Sequence, residues 1–391
     1  MIIAIEVQRL FRPKKHGMEI VALEIIRQLQ KIRNKNTYIV FAKEDTDTNC
    51  IGKSPNFSVA NSNSNAYPLW EQKYLPSAIE KSKPDILHCT ANTAPLFCKT
   101  PMIITIHDII YLESINFSGS AYQNFGNLYR RIIVPIVAKK AAFIITVSAY
   151  EKRRIVKRLK VAASKVKVVY NGVNEQFKPI TDQNLLNNFR NKYGLPKQFL
   201  LHFGNTAPKK NTIGVLRAFE LYVAAVSAPL PLVLTDCTLP FITGLLKQIG
   251  APALIKHIQV LAYVPFDNIP CLYNLATVFL YPSHRESFGM PVIEAMACGL
   301  PVITSDTSAL PEIAGGAACL VNPEMPHEIC AYILKLLANK VFYDEIKDKG
   351  FTNAARFNWK DAADKTLAVY TELEAIISLR QKNKALNTSL T

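Results

Sequence analysis

Two glutamates stand eight positions apart in the segment ESFGMPVIEAMACGLPV, residues 286–302. Between Glu286 and Glu294 lies an uncharged Phe-Gly-Met-Pro turn, although the whole chain has a formal net charge of +16. Ionised carboxylates accept hydrogen bonds, and the paired hydroxyls of a ribose or a sugar ring are their natural neutral partners. The spacing therefore indicates a carboxylate pair that recognises a polyhydroxylated ligand.

The residues around this pair predict a loop that leads into a short helix. Pro291 suits a first helical turn, and Gly299 followed by Pro301 would end the helix after about two turns. Free backbone amides at such a helix start, together with the positive end of the helix dipole, bind anionic or oxygen-rich groups. In this loop the amides in question belong to Phe288, Gly289 and Met290.

A purely structural interpretation of the two glutamates stays open from these residues alone. Glu294, predicted in the first helical turn, would complement the helix dipole, and Ser283 and Glu286 have the spacing of a capping box. The neighbouring segments have to decide between a ligand site and a helix cap.

Short apolar runs alternate with longer amphipathic ones along most of the chain. In the first half the strand-like runs are MIIAIEV, TYIVFA, DILHC, MIITIHD, FIITVS and VKVVYN. The pattern restarts with FLLHFG, LPLVLT, IQVLA, TVFLYP, PVITS and ACLVN. Continuous apolar strands separated by helices predict an α/β protein with two doubly wound parallel sheets. Two such sheets in tandem leave a cleft, and ligands of open α/β sheets bind outside the carboxyl ends of the strands.

The length of 391 residues favours two domains. We predict a Rossmann-like N-terminal domain of residues 1–175 and a Rossmann-like C-terminal domain of residues 198–365. The polar segment 176–197, which contains glycine and proline, is the predicted linker. Residues 366–391 are predicted to form a helix and tail that return to the N-terminal domain.

The segment PSHRESFGMPVIEAMACGLPVITSDTSALPEIAGGAACLVNP resembles the donor-binding segment of the retaining glycosyltransferases of family 4. Members of that family have the GT-B fold, in which two Rossmann-like domains face a central cleft. The resemblance implies that the N-terminal domain binds an acceptor and the C-terminal domain a nucleotide sugar. It further implies that Glu294 holds the ribose, that Glu286 binds sugar hydroxyls, and that the loop amides contact the sugar and the phosphates.

A second segment extends the resemblance to the start of the C-terminal domain. FLLHFGNTAPKKN, residues 199–211, is similar to the strand and loop that deliver basic side chains to the diphosphate. The resemblance implies this role for Lys210 and Lys209. Asn205 stands where some members have an arginine, so it is the candidate donor contact at that position.

Two positions in the N-terminal domain also match the family. TIHDIIYLE, residues 105–113, resembles its His-Asp segment, which implies that His107 faces the donor sugar. Gly17 stands where the family has a glycine-rich turn, which implies a further donor contact. Acceptor sites in this fold lie on variable N-domain loops, here roughly residues 8–17, 61–70 and 113–127.

These similarities imply transfer of a hexose, with retained anomeric configuration, from a nucleoside diphosphate sugar of the GDP-mannose or UDP-glucose type. The acceptor would be a hydroxyl of a glycan or lipid-linked molecule in cell-surface polysaccharide or lipopolysaccharide synthesis. Glu286, His107 and Lys210 are the implied catalytic residues. Two alternatives stay open: a nucleotide-sugar epimerase or phosphorylase of the same fold, and a non-catalytic nucleotide-sugar-binding protein.

Asp45-Thr46-Asp47 forms a D-x-D, a pattern that holds Mn²⁺ or Mg²⁺ in the other major glycosyltransferase fold. Here it follows the strand TYIVFA in a polar loop beside Glu44 and Thr48, which favours an ordinary solvated turn. We therefore expect no required metal, and no cofactor apart from the nucleotide sugar as co-substrate.

The basic residues are concentrated between Arg130 and Lys160, where ten lysines and arginines accompany one acid, Glu151. Such a surface could dock on anionic lipid, or it could be a solvated basic face. A nucleic-acid partner is not expected, because no recognisable binding module is present.

The eight cysteines are scattered without a C-x-x-C pair, which favours reduced thiols. The N-terminal apolar run is short and its positive charges follow it, so a secretory signal is not expected. The expected location is the cytoplasm, with docking at the inner face of the plasma membrane left open.

Overall fold

A computed structural model describes residues 1–62, 66–113, 121–261 and 263–388. The chain forms two compact units. The first contains Met1–Gly172 together with Trp359–Thr391, and the second contains Val173–Asn358.

The first unit is built around a parallel sheet. Its strands within the described residues are β1 (Ile2–Glu6), β2 (Thr37–Lys43), β3 (Phe57–Ser62), β4 (Ile86–Cys89), β5 (Met102–Thr105), β6 (Phe143–Thr146) and β7 (Val166–Val168). They pair in the order β3-β2-β1-β4-β5-β6-β7, and each pair is parallel. The helices between them are α1 (Gly17–Lys31), α2 (Tyr67–Leu69), α3 (Leu75–Ser82), α4 (Ile110–Glu113), α5 (Ala121–Lys140) and α6 (Ala149–Leu159), with a π-helical turn at Trp70–Tyr74 between α2 and α3.

The second unit repeats this plan. Its strands are β8 (Leu200–Phe203), β9 (Leu232–Thr235), β10 (Ile258–Val260), β11 (Val278–Tyr281), β12 (Val302–Ser305) and β13 (Cys319–Val321). They form a parallel sheet in the order β10-β9-β8-β11-β12-β13. The helices are α7 (Gln183–Tyr193), α8 (Thr212–Ala225), α9 (Leu239–Gln248), α10 (Ile269–Leu275), α11 (Met290–Ala297), α12 (Leu310–Ala314), α13 (Pro326–Ala338) and α14 (Lys340–Ala354).

These sheets confirm the predicted doubly wound α/β class. The central strands β4 and β11 are buried at every residue, because helices cover both faces of a parallel sheet. In each unit the strand order reverses beside the first strand, between β1 and β4 and between β8 and β11. Crevices at such switch points, outside the carboxyl ends of the strands, are where open α/β sheets bind ligands.

The segment predicted as a linker, residues 176–197, lies inside the second unit, which begins at Val173. The segment contains the amphipathic helix α7, whose Leu186 and Phe189 are buried in the core. Asp182 caps the helix by accepting a hydrogen bond from the amide of Leu185 (3.0 Å). Polar residues on the exposed side of α7 produced the linker-like composition, and the segment's four buried side chains, Phe177, Leu186, Phe189 and Leu195, were too few to outweigh it.

The chain returns to the first unit through α15 (Trp359–Thr388), whereas the predicted return began at residue 366. Tyr370 of this helix is fully buried, and its hydroxyl lies 2.7 Å from Nδ1 of His88 in β4. Helical periodicity continues almost unbroken from α13 onward, so the local pattern did not mark the residue at which the chain changes unit.

The eight cysteines are unpaired thiols, and seven of them are buried. None of the described helices is long and apolar enough to cross a membrane.

The adjacent residues Leu185 and Leu186 test whether α7 belongs to the core. Leu186→Ala should lower the free energy of unfolding by about 2–4 kcal/mol, because Leu186 is buried. Leu185→Ala is the matched control and should change it by less than about 0.5 kcal/mol, because Leu185 is exposed. Urea denaturation followed by circular dichroism measures both. Equal effects of the two substitutions would show that the segment is a loosely attached linker.

Candidate active site

The candidate site of the second unit lies where β8 and β11 end side by side at the middle of the sheet. The loop after β8 runs from Gly204 to Asn211, and the loop after β11 runs from Pro282 to Gly289. The amide of His284 donates to the carbonyl of Lys209 (2.8 Å), which joins the two loops. All the predicted site residues of the C-terminal domain except two lie in these loops, and those two, Met290 and Glu294, belong to α11.

Asn211 holds this arrangement together. It is buried in a left-handed conformation (φ 58°), and its Nδ2 donates to the carbonyls of Pro282 (3.1 Å) and Pro323 (2.8 Å). Its Oδ1 accepts from the amide of Gly214 (3.1 Å) and so caps α8. A Cβ at Gly214 would lie 2.4 Å from that Oδ1, so the cap requires glycine there. Asn211 was not among the predicted site residues; its position ahead of a helix could have predicted the cap, but not the bonds to the other loops.

Glu286 is buried and Lys210 half-buried, and the two form an ion pair with Nζ 2.7 Å from Oε1. The hydroxyl of Tyr281, the last residue of β11, donates to the same carboxylate oxygen (3.0 Å). Lys210 Nζ also lies 2.5 Å from that hydroxyl. Burial raises the pKa of Tyr281 well above its usual range, so the phenol keeps its proton and remains a donor. Tyr281 was not among the predicted site residues, because the pattern of an apolar strand predicts that a tyrosine at its end belongs to the hydrophobic core.

Glu286 is ionised in this environment. Burial alone raises its pKa, but the positive charges of Lys210 and Lys209 and the hydrogen bonds from Lys210 and Tyr281 outweigh that effect. The net result is a pKa below the ordinary value of a glutamate. The predicted role as a hydrogen-bond acceptor for hydroxyl groups is therefore chemically sound.

Glu294 has a different environment from Glu286. Helix α11 begins at Met290 with Gly289 as its N-cap, so Glu294 is the fifth helical residue. The prediction that Glu294 lies in the first turn is therefore wrong. Its side chain is buried, and the hydroxyl of Tyr273 donates weakly to Oε2 (3.4 Å). Burial raises the pKa of Glu294 to about 8, and the weak hydrogen bond from Tyr273 offsets only part of this effect. The capping-box alternative is also wrong, because the N-cap of α11 is Gly289.

The start of α11 provides hydrogen-bond donors for an oxygen-rich group. Gly289 has φ 109°, and a Cβ there would lie 2.8 Å from Cδ2 of Leu310, so only glycine fits. Within the described part of the chain, the amides of Gly289 and Met290 have no protein acceptor. The side chain of Phe288 is buried and packs edge-on against Phe357 at 5.6 Å between ring centroids, so only its backbone can face a ligand.

Lys209 and Asn205 lie at the outer part of the β8 loop. Lys209 is half-buried in the 3-10 turn Pro208–Lys210, and its charge lowers the pKa of Glu286. Asn205 is exposed, and its Oδ1 accepts from the amide of Ala207 (2.9 Å). The Asn205 side chain thus shapes its own loop, and only its Nδ2 remains for a donor molecule.

His107 follows β5 in the first unit and is buried. Its Nε2 lies 2.9 Å from the carbonyl oxygen of Thr90, and its amide donates to Oδ1 of Asn92 (2.7 Å). A carbonyl can only accept, so Nε2 carries the proton and Nδ1 is left as an acceptor. Burial lowers the pKa of His107, which keeps the ring neutral. Asn92, a residue with φ 69° that positions His107, was not predicted.

Gly17 is the first residue of α1. A Cβ added there would meet no atom within 4 Å, so no packing contact requires glycine at this position. Its φ is not in the left-handed region either. The predicted donor contact at Gly17 stays a prediction.

A pocket of about 710 Å³ lies at the carboxyl ends of β1 and β4 in the first unit. Glu6, Tyr67, Tyr129, Thr90 and Thr93 contribute to its wall, and Arg9, Arg12 and Arg130 also line it. Burial raises the pKa of Glu6 to about 8, with the nearby charge of Glu71 as the second cause. The pocket draws on all three loops predicted for an acceptor, although residues 63–65 and 114–120 of those loops lie outside the described residues.

Glu71 accepts hydrogen bonds from several residues that line this pocket. It is fully buried, and its two carboxylate oxygens accept from Tyr67 (2.9 Å), Gln72 (2.8 Å), Thr93 and Tyr129. Both tyrosines and Thr93 line the pocket, so the buried carboxylate fixes three of its wall residues. Aromatic rings and hydroxyl groups in one pocket suit a carbohydrate.

Two family models match this chain. The model described as Glycosyltransferase Family 4 matches residues 16–177, and the model described as Glycosyl transferases group 1 matches residues 187–356. The chain belongs to glycosyltransferase family 4.

The chain is also similar to curated relatives and, in its fold, to solved structures. The chain is 26% identical over 275 residues to the serotype-specific mannosyltransferase WbdA of Escherichia coli, covering 69% of this chain and 33% of that protein. It is 29% identical over 231 residues to the O-antigen chain mannosyltransferase B of Escherichia coli, covering 59% of this chain and 60% of that one. The chain thus spans about a third of the first relative and less than two thirds of the second.

The structure of HepE from Anabaena, solved in complex with UDP and glucose, superimposes with a TM-score of 0.71. The match has 18% identity and covers 96% of this chain and all of HepE (100%). This likeness and the two sheet orders confirm the GT-B fold class predicted for this family 4 member.

The two aspartates of the D-x-D in this family 4 chain have partners within the protein. Asp47 pairs with Lys15, and Oδ1 of Asp45 accepts from the amide of Thr46 (2.8 Å). Among the described residues, no group of three or more His, Cys, Asp or Glu side chains could hold a metal ion. Metal independence stays a prediction.

Glu294 should lower the stability of the protein at neutral pH. Its pKa in the folded state is about 8, above the 4.5 of the unfolded state, so stability falls as the pH rises between these values. Glu294→Gln removes this loss and should raise the free energy of unfolding at pH 8, relative to the wild type, by on the order of 3 kcal/mol.

Urea denaturation of both proteins at pH 4 and pH 8 measures this effect. The exposed Glu80→Gln in α3 is the control and should show no such pH-dependent gain. If Glu294→Gln raised the free energy of unfolding equally at the two pH values, the raised pKa of Glu294 would be contradicted.

Proposed function

We propose that this chain is a retaining glycosyltransferase that moves a hexose from a nucleoside diphosphate sugar to a hydroxyl group of a glycan or lipid-linked acceptor. The observation that carries the proposal is the Lys210–Glu286 pair, which lies at the carboxyl ends of β8 and β11. A cation and a carboxylate in contact provide one group for a diphosphate and one for sugar hydroxyls.

The donor would bind across the loops of the second unit. Lys210, Lys209 and the amides of Gly289 and Met290 would hold the diphosphate, whose negative charge grows as the glycosidic bond breaks. Glu286 would accept hydrogen bonds from the sugar, and Glu294 from the ribose hydroxyls. His107 would offer Nδ1 to a hydroxyl of the donor sugar.

The reaction would proceed on one face of the sugar ring. The bond from the anomeric carbon to the phosphate oxygen breaks, the acceptor oxygen bonds to the same face, and the departing phosphate oxygen takes the acceptor proton. The protein would contribute orientation and stabilisation of charge, and no covalent intermediate with a side chain is needed.

Mannose is the sugar we propose, because both E. coli relatives are named as mannosyltransferases. GDP-mannose would then be the donor, and a growing O-antigen chain or a similar cell-surface glycan the acceptor. UDP-glucose is the alternative donor, since HepE was solved with UDP and glucose. The acceptor sugar would occupy the 710 Å³ pocket of the first unit.

A membrane surface is the proposed location of the acceptor. The basic residues of 130–160 would attract anionic lipid, and such attraction weakens with salt. The enzyme would then work at the inner face of the plasma membrane without spanning it.

Donor identity can be read from thermal shifts with a panel of nucleoside diphosphates and their sugars. A ligand at a hundred times its dissociation constant adds about 2.7 kcal/mol to stability, which shifts the melting temperature by several degrees. We expect the largest shifts from GDP and GDP-mannose. A larger shift from UDP would replace mannose by a UDP-linked sugar, and no shift from any nucleotide would contradict the proposal.

Substitution of the ion pair tests the chemistry. Lys210→Ala and Glu286→Ala should each lower kcat for transfer at least 100-fold, because each removes an interaction with the charge or hydroxyls of the donor. The kcat of the double variant should be only slightly below that of the less active single variant, because either single change already leaves the other charged group without its partner. Lys247→Ala, on the exposed side of α9, is the control and should keep full activity.

Product analysis of these reactions separates the enzyme classes. A new sugar nucleotide formed from the donor alone would indicate an epimerase. Unchanged transfer by both alanine variants would remove Lys210 and Glu286 from the mechanism.

A further inference from the structure

The outward face of α5 is apolar. Phe125, Leu128, Ile132 and Ile136 are 56%, 51%, 55% and 40% exposed, and their spacing of three and four residues places them along one side of the helix. The opposite side of α5 is apolar as well. There Ile133, Val134, Val137 and Ala138 are buried in the core of the first unit. A surface helix normally turns polar residues to water, so the exposed apolar row indicates an interaction surface.

Phe97 extends this row beyond the C-terminal end of α5. Its side chain is 82% exposed, and Nζ of Lys140 lies 5.3 Å from the centre of its ring. Lys140 also donates to the carbonyl of Leu96 (2.8 Å), which holds this part of the chain against the helix end. We name Phe97, Phe125, Leu128, Ile132 and Ile136 the α5 stripe.

The charges around the α5 stripe are positive. The sequence of α5 contains four cations and no aspartate or glutamate. Lys139 and Lys140 at its end are exposed. A second copy of this chain would bring the same cations against them. An anionic lipid surface instead offers acyl chains to the apolar side chains and negative headgroups to the lysines.

The same helix lines the pocket of the first unit. Phe125, Gly126, Tyr129 and Arg130 belong to the pocket wall, and Phe125 belongs to the α5 stripe as well. The pocket and the exposed apolar face are therefore continuous along α5. Any surface that covers the stripe will lie beside the pocket.

We propose that the α5 stripe inserts into the headgroup–acyl boundary of an anionic membrane and brings the 710 Å³ pocket to the lipid surface. A lipid-linked acceptor could then reach the pocket while its anchor stays in the bilayer; this last step rests on the proposed function, whereas the insertion does not. Insertion differs from docking of the basic 130–160 surface, because apolar burial does not require low salt.

Vesicle flotation tests the insertion. Wild-type protein is mixed with vesicles of phosphatidylcholine and phosphatidylglycerol (about 7:3) at physiological salt and at 1 M NaCl, where the Debye length falls from about 8 Å to about 3 Å. The wild type should still float at 1 M NaCl. The double variant Leu128→Ser/Ile132→Ser should lose at least tenfold in its vesicle partition coefficient at both salt concentrations.

Exposed apolar residues of the second unit provide the matched control. Leu221 and Leu239 have exposures similar to those of Leu128 and Ile132, at 45% and 53%. The double variant Leu221→Ser/Leu239→Ser should float like the wild type. All three proteins should give the same thermal shift with the donor nucleotide, so a loss of flotation is separated from a loss of folding or of the proposed function.

Three results would overturn the proposal. Flotation of the stripe variant equal to that of the wild type would remove the stripe from membrane binding. Complete loss of wild-type flotation at 1 M NaCl would leave only electrostatic docking. Conversion of a wild-type dimer to a monomer by the stripe substitutions, measured by light scattering, would show that a second copy covers the stripe.

Discussion

The buried Glu286 pairs with the half-buried Lys210, and the candidate donor site depends on their contact. Removal of a charged side chain from water costs several kcal/mol, which a partner at close distance and good hydrogen bonds can offset. Tyr281 supplies a hydrogen bond and Lys209 a second positive charge. Because these groups already face each other, a diphosphate and a sugar would meet charges and dipoles that need no rearrangement.

The positions of Lys210 and Glu286 depend on the two loops that contain them. Asn211 joins the loop after β8 to the loop after β11, and the bond from His284 to Lys209 adds a second connection. Gly214 and Gly289 are required because a Cβ at either position would collide with a neighbouring side chain. A small number of buried polar contacts thus fixes the site on rigid strands, which favours accurate positioning.

Glu286 and Glu294 show how burial and nearby charge set the chemistry of one residue type. Two lysines keep Glu286 ionised, whereas Glu294 is buried with a weak hydrogen bond from Tyr273 and binds its proton more tightly. A buried carboxyl with a raised pKa lowers stability at neutral pH, and proteins retain such groups mainly at functional sites. Glu6 and Glu71 at the pocket of the first unit have raised pKa values for the same reason.

The fold class, most strands and the composition of the donor loops followed from the sequence by itself, because apolar periodicity, glycine, proline and helix-start signals are properties of neighbouring residues. The contacts that turn these loops into a site were decided only by the tertiary structure. Lys210 and Glu286 are 76 positions apart, and Asn211 reaches carbonyls 71 and 112 positions away. Parallel pairing of β8 with β11 brings them together, and that pairing has no local signature. The packed state of residues 176–197 and the exposed apolar face of α5 were likewise undetermined by the sequence, because which side of a helix is buried depends on what packs against it.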